Sequence, residues 1–178
     1  MVTPAELAIR AKRLRLVLSD CDGVLTDAGA YYSAEGELLK RFSLRDGMGA
    51  ERLRDVGVMT AIVTRERSEA VRRRSEKLKL PFHFDGIRDK GAMLPRITEE
   101  TGVGSNEMAY IGDDVNDLEI MAEVKREGLT GAPADAIDEV KACAHYVTSR
   151  PGGHGAFREF AEWIIALRET KGVGDGGS

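Results

Sequence analysis

Five aspartates in two short stretches carry the densest chemistry in this sequence. Asp20-Cys21-Asp22-Gly23 follows an apolar run at 14–19, and Gly112-Asp113-Asp114-Val115-Asn116-Asp117 follows another at 108–111. At the tip of a strand, side chains two residues apart point the same way, which puts Asp20 beside Asp22 with Cys21 opposite. Carboxylates that close repel one another, and a bound cation relieves the repulsion. Hard oxygen donors gathered from two strand tips suit Mg²⁺, which takes a few carboxylates and keeps several waters. No histidine or cysteine joins the pattern, so zinc is not expected. Gly23 permits a sharp turn and a close backbone approach to a ligand.

Two further places supply the complement of an acidic cluster. Thr64 ends the apolar run 58–63 and is followed by Arg65-Glu66-Arg67-Ser68 and a helical pattern. A hydroxyl with free backbone N–H groups at a helix N-terminus makes a phosphate seat. Lys90 opens the next helical pattern and can neutralise a phosphate as a point charge. Aspartates, a divalent ion, a hydroxyl and a lysine around one crevice suit phosphoryl transfer, in which positioning and charge neutralisation do most of the work.

These residues need a scaffold that brings strand tips together. Short apolar runs at 14–19, 58–63, 108–111, 128–130 and 145–148 alternate with helical patterns at about 47–55, 67–79, 89–101, 115–125, 134–142 and 154–169. The alternation predicts an α/β fold: a doubly wound, Rossmann-like parallel sheet with helices on both faces. Residues 28–43 break the rhythm. Tyr31-Tyr32 and the run 38–42 read as two strands and 34–37 as their turn, so a β-hairpin is inserted after the first strand. One domain is expected over 1–170, with a flexible Gly-rich tail at 171–178. Phe157, Phe160, Trp163 and Ile164 recur at helical spacing and read as core.

Composition narrows the function class. A net charge of −4 provides no basic field for a nucleic acid, and the arginine-rich stretch 67–79 reads as a solvated helix face. No apolar run approaches the roughly 18 residues of a membrane span, and residues 1–14 carry no signal-peptide pattern. Two cysteines, Cys21 and Cys143, make no disulfide framework. A cytoplasmic location is expected.

The ordered set Asp20-x-Asp22-Gly23-Val24-x-Thr26, Thr64, Lys90 and Gly112-Asp113-Asp114-x-x-Asp117 resembles the haloacid dehalogenase superfamily. More narrowly it is similar to the capless branch holding 3-deoxy-D-manno-octulosonate 8-phosphate phosphatases, nonulosonate 9-phosphate phosphatases and the C-terminal module of some sialic-acid cytidylyltransferases. The likeness spans about 14–168 and includes Lys40-x-Phe42, Asp46-Gly47-Met48-Gly49, Val71-x-x-Arg74 and Arg150-Pro151-Gly152-Gly153-His154-Gly155. It implies a magnesium-dependent phosphatase with no separate cap domain. Asp20 would be the nucleophile and Asp22 the general acid and base. Mg²⁺ would be held by Asp20, the backbone carbonyl of Asp22 and Asp113, with Asp114 and Asp117 in support. Thr64, Arg65 and Lys90 would hold the phosphate. The substrate would be a small phosphorylated sugar acid, and the chain a homotetramer whose hairpins meet.

One departure bears on substrate. Gly-Arg usually follows the strand-end hydroxyl residue in octulosonate phosphatases; here Arg65-Glu66 stands there. Glu66 looks more like the nine-carbon branch, where a glutamate and a lysine spaced like Glu66 and Lys77 go with substrate choice. Eleven residues are about three helical turns, which would put both on one face. The expectation is therefore a nine-carbon 9-phosphate of neuraminate type, with the eight-carbon 8-phosphate, or a non-catalytic assembly module, as the alternatives.

Overall fold

The computed structural model describes residues 2–170, so the tail reading at 171–178 lies outside the described residues. Six strands form one parallel sheet in the order β5-β4-β1-β6-β7-β8: β1 Leu16–Ser19, β4 Met59–Val63, β5 Phe82–Phe84, β6 Met108–Ile111, β7 Leu129–Ala132 and β8 Tyr146–Val147. The chain winds outward from β1 through β4 to β5, then returns to β6 on the other side of β1 and continues outward. Ligands in such sheets bind beyond the strand ends where the winding reverses, here between β1 and β6.

Strand periodicity sorts the core into two layers. Val17, Ile62, Ala109, Ile111 and Leu129 pack on one face with α1 (Pro4–Arg13), α2 (Leu44–Asp55), Val71 of α3 (Glu69–Lys77) and α7 (Ala156–Glu169). Leu16, Leu18, Ala61, Val63, Met108 and Tyr110 pack on the other with α4 (Lys90–Thr101), α5 (Leu118–Lys125) and α6 (Asp138–Cys143). Phe157, Phe160 and Ile164 are fully buried, and Trp163 is half-buried, stacked on Tyr146 and Phe160. Among the described residues no helix is long and apolar enough to cross a membrane.

Two elements escaped the sequence reading. Helix α1 carries a legible start signal: Thr3 accepts a hydrogen bond from the Glu6 N–H, and Pro4 takes the first helical position. Strand β5 is three residues long, too short for a periodicity to emerge. The hairpin forms from β2 Tyr31–Ser33 and β3 Gly36–Leu39, so its second strand starts and ends earlier than expected. Tyr31, Tyr32, Leu38 and Leu39 are all more than half exposed, so the tyrosines do not pack within their own hairpin.

Candidate active site

The first strand stops at Ser19, so the alternation argument does not reach Asp22. A tight turn replaces it. The Cys21 carbonyl accepts from the N–H groups of Leu25 at 2.9 Å and Thr26 at 3.0 Å, and Cys21 is itself fully buried. The turn brings Asp22 and Asp20 onto a single cavity of about 290 Å³, also lined by Ala28, Thr64, Arg65, Glu66, Asp113, Asp114, Val115 and Asn116. Gly23 is required at this bend. Its φ is +93°, and a Cβ there would overlap the carboxylate of Asp113.

Asp20, Asp113 and Asp117 each place a carboxylate oxygen within 4.8 Å of the others. Their surroundings differ. Asp117 is fully buried and saturated: Oδ1 accepts from Lys90 Nζ at 2.7 Å and Tyr110 Oη at 2.6 Å, and Oδ2 from the backbone N–H groups of Asp113 at 2.9 Å and Asp114 at 3.3 Å. Four donors leave it no free acceptor direction, so it holds the loop in shape. Asp113 Oδ1, by contrast, is buried without a partner among the described residues. Burial, then the charges of Asp20 and Asp117, push the Asp113 carboxyl up to about 9. Burial and Asp117 raise Asp20 to about 6, against the pull of Lys90. A divalent cation between Asp20 and Asp113 would relieve both and use the orphaned oxygen, so the donor set fits Mg²⁺.

Lys90 is the first residue of α4 and only 1% exposed. Burial opposes its charge, but Asp20 and Asp117 outweigh that penalty and its pKa rises. Its Nζ lies 2.8 Å from Asp20 Oδ1 and 2.7 Å from Asp117 Oδ1. An ammonium has three hydrogens, so one remains for a phosphoryl oxygen. The buried Thr64 hydroxyl accepts from the Glu66 N–H at 3.3 Å, and its own hydrogen is free to donate.

The loop after β4 corrects two expectations. Helix α3 begins at Glu69, capped by Ser68, so Thr64 sits in a loop and not at a helix N-terminus. Glu66 therefore precedes the helix, and the three-turn spacing to Lys77 does not exist. Glu66 lines the cavity; Lys77 is exposed in the last turn of α3 and is not among the lining residues. Arg65 is exposed on the cavity rim. Asp114 is exposed and accepts from the Val115 N–H at 2.7 Å, so it caps the turn Val115–Asp117.

The contact of Asp117 with Tyr110 is one that the sequence reading missed, and so is Lys40. Its side chain is only 3% exposed and its Nζ lies 2.6 and 2.7 Å from the two oxygens of Asp22.

The family model for haloacid dehalogenase-like hydrolases matches residues 85–159. Over 166 residues the chain is 36% identical to the 3-deoxy-D-manno-octulosonate 8-phosphate phosphatase of Haemophilus influenzae, covering 93% of this chain and 91% of that protein. The chain belongs to the haloacid dehalogenase-like phosphatases. Solved structures in its octulosonate-phosphatase-like branch share the capless fold. The cobalt-bound Haemophilus influenzae enzyme superposes with a TM-score of 0.85 at 36% identity, over 93% of this chain and 95% of that one. The Moraxella catarrhalis phosphatase, in complex with a magnesium ion, a phosphate ion and a KDO molecule, gives 0.85 at 33%, over 92% of each chain.

Proposed function

We propose that this phosphatase hydrolyses 3-deoxy-D-manno-octulosonate 8-phosphate with Mg²⁺ as cofactor. The observation that carries the chemistry is the pair Asp20, buried, and Asp113, half-buried, whose carboxyls stay raised despite Lys90 and which open with Thr64 on one cavity. The substrate follows from the octulosonate phosphatases, which match this chain over nine-tenths of its length.

Lys90 holds Asp20 Oδ1, which leaves Oδ2 to attack phosphorus. The bond from phosphorus to the sugar oxygen breaks in line, and Asp22 gives that oxygen a proton. Asp22 then takes a proton from water as it attacks the phosphorylated Asp20, releasing phosphate and restoring the carboxylate. Thr64 and the third hydrogen of Lys90 hold non-bridging oxygens throughout, and Arg65 meets the phosphate from the rim. Asp20, Asp113 and the backbone carbonyl of Asp22 would hold Mg²⁺, which supplies charge neutralisation between the nucleophile and the phosphoryl group.

Glu66 on the cavity wall favours the second reading, a nine-carbon 9-phosphate. That reading has lost its companion Lys77, and the comparisons favour the eight-carbon substrate. The assembly-module alternative is weakened by the complete catalytic set. Exposed Tyr31, Tyr32, Leu38, Leu39 and Leu44 support assembly into a homotetramer through the hairpins, which light scattering would test.

The test is magnesium-dependent phosphate release from both sugar phosphates, with Asp20→Asn as control. The expected result is a higher kcat/KM on the octulosonate and a loss of roughly 10⁴-fold or more in the variant. Equal release by wild type and variant would rule out Asp20 as nucleophile.

A further inference from the structure

We propose that Lys40, at the exit of the hairpin, is the positioning residue for the acid/base carboxylate of Asp22. The proposal rests on the acid/base reading of Asp22 given above. It assigns the hairpin a task within its own chain, apart from any role in assembly.

The ammonium of Lys40 reaches both oxygens of Asp22, at 2.6 Å to Oδ1 and 2.7 Å to Oδ2. Thr26 Oγ1 adds a hydrogen bond to Oδ1 at 3.1 Å. A carboxylate oxygen accepts along two directions. Lys40 and Thr26 fill both on Oδ1, while Oδ2 keeps one open. Asp22 lines the reaction cavity and Lys40 does not, so the lysine stands behind the carboxylate and leaves that open direction to the leaving oxygen and, later, to water.

Lys40 is itself held from both sides along the chain. Before it, β3 pairs with β2 up to Leu39. After it, Phe42 packs against the core with the Arg74 guanidinium over its ring. Glu37 of β3 approaches Lys40 Nζ at 3.4 Å and accepts from the Ser68 hydroxyl, the cap of α3. The chain of contacts Asp22–Lys40–Glu37–Ser68 thus ties the acid/base to the end of the loop that carries Thr64 and Glu66. With the Lys40 ammonium buried and Asp22 half-buried, the pair is costly to leave half-made, which favours one geometry for Asp22.

A leaving-group comparison tests this. A sugar oxygen needs a proton to depart; para-nitrophenolate leaves without one. With Mg²⁺ present, Lys40→Met should lower kcat/KM on 3-deoxy-D-manno-octulosonate 8-phosphate by roughly 30-fold or more, while kcat/KM on para-nitrophenyl phosphate, which reports only the steps up to nitrophenolate release, stays within about 3-fold. Lys40→Arg, which keeps the charge and the fold, should recover much of the loss. In an Asp22→Asn background, Lys40→Met should add nothing further. Equal losses on both substrates, no loss on either, or full additivity with Asp22→Asn would overturn the positioning role. Asp22→Asn alone reports on the underlying reading: a loss of kcat/KM confined to the sugar phosphate upholds it, and an equal loss of kcat/KM on both esters removes it and the proposal together.

Discussion

The acidic cluster between β1 and β6 and the loop 64–68 after β4 face the same cavity, yet they are built in opposite ways. In the cluster Asp20, Lys90 and Asp117 are all at most 4% exposed and joined by ion pairs of 2.7 and 2.8 Å. In the loop Arg65, Glu66 and Arg67 are exposed, and among the described residues Arg67 alone of the two arginines has an acidic partner, Asp85 at 4.0 Å. The cluster is locked because a misplaced buried charge is expensive. Its exposed positions 65–67 can change residue by residue at little cost in stability. The separation proposed is that Glu66 can vary without disturbing the buried cluster of Asp20, Lys90 and Asp117.

The largest effect that tests this separation is expected at Asp117. Asp117→Ala leaves Lys90, Tyr110 and two backbone N–H groups without their shared acceptor. Breaking such a pair costs about 3–5 kcal/mol, so a fall in melting temperature together with lost turnover is expected. A variant as stable as wild type would show that the cluster is not locked. Gly23→Ala should come next. Its positive φ and the overlap with Asp113 predict Mg²⁺ affinity lower by roughly 10–100-fold, measured by activity against free Mg²⁺.

A pH experiment sharpens the contrast further. Without metal, Asp20 and Asp113 have folded-state pKa values of about 6 and about 9, both raised above the ordinary carboxylate value of 3.8. A raised acid holds its proton in the folded state after the unfolded chain has released it. The metal-free protein therefore loses stability as pH rises through this range, because charges must form where they are buried. Mg²⁺ favours the ionised pair, so its increment in melting temperature should be larger at pH 8 than at pH 6. An increment independent of pH would argue against these two aspartates as ligands. The smallest change in stability belongs to the rim. Glu66→Arg should alter the ratio of kcat/KM for the eight- and nine-carbon substrates by about 10-fold, with melting temperature moving by the equivalent of less than about 0.5 kcal/mol.

The same contrast explains what the sequence made legible. Asp20, Asp113, Thr64 and Lys90 follow apolar runs or open helical patterns, and a parallel sheet delivers such positions to one edge whatever the intervening segments do. The faces of the sheet could be read for the same reason, since period two decides them. Contacts made by turns and side chains across distant segments could not. Lys40 reaches Asp22 across 18 residues, and nothing local marks that pairing. The Glu66–Lys77 spacing failed because it assumed helix where Arg65 to Ser68 form a loop. Helix α1 was within reach, as Thr3, Pro4 and Glu6 spell a helix start.

The turn that carries Asp20, the proposed nucleophile, is braced from the other end of the chain. Gly153 N–H donates to the Val24 carbonyl at 2.9 Å, and a Cβ at Gly152 would collide with the backbone of Gly23. Residues near position 20 thus depend on residues near position 150 for their final shape. During synthesis Asp20 is made early but reaches its final geometry late, once nearly all of the fold has emerged from the ribosome.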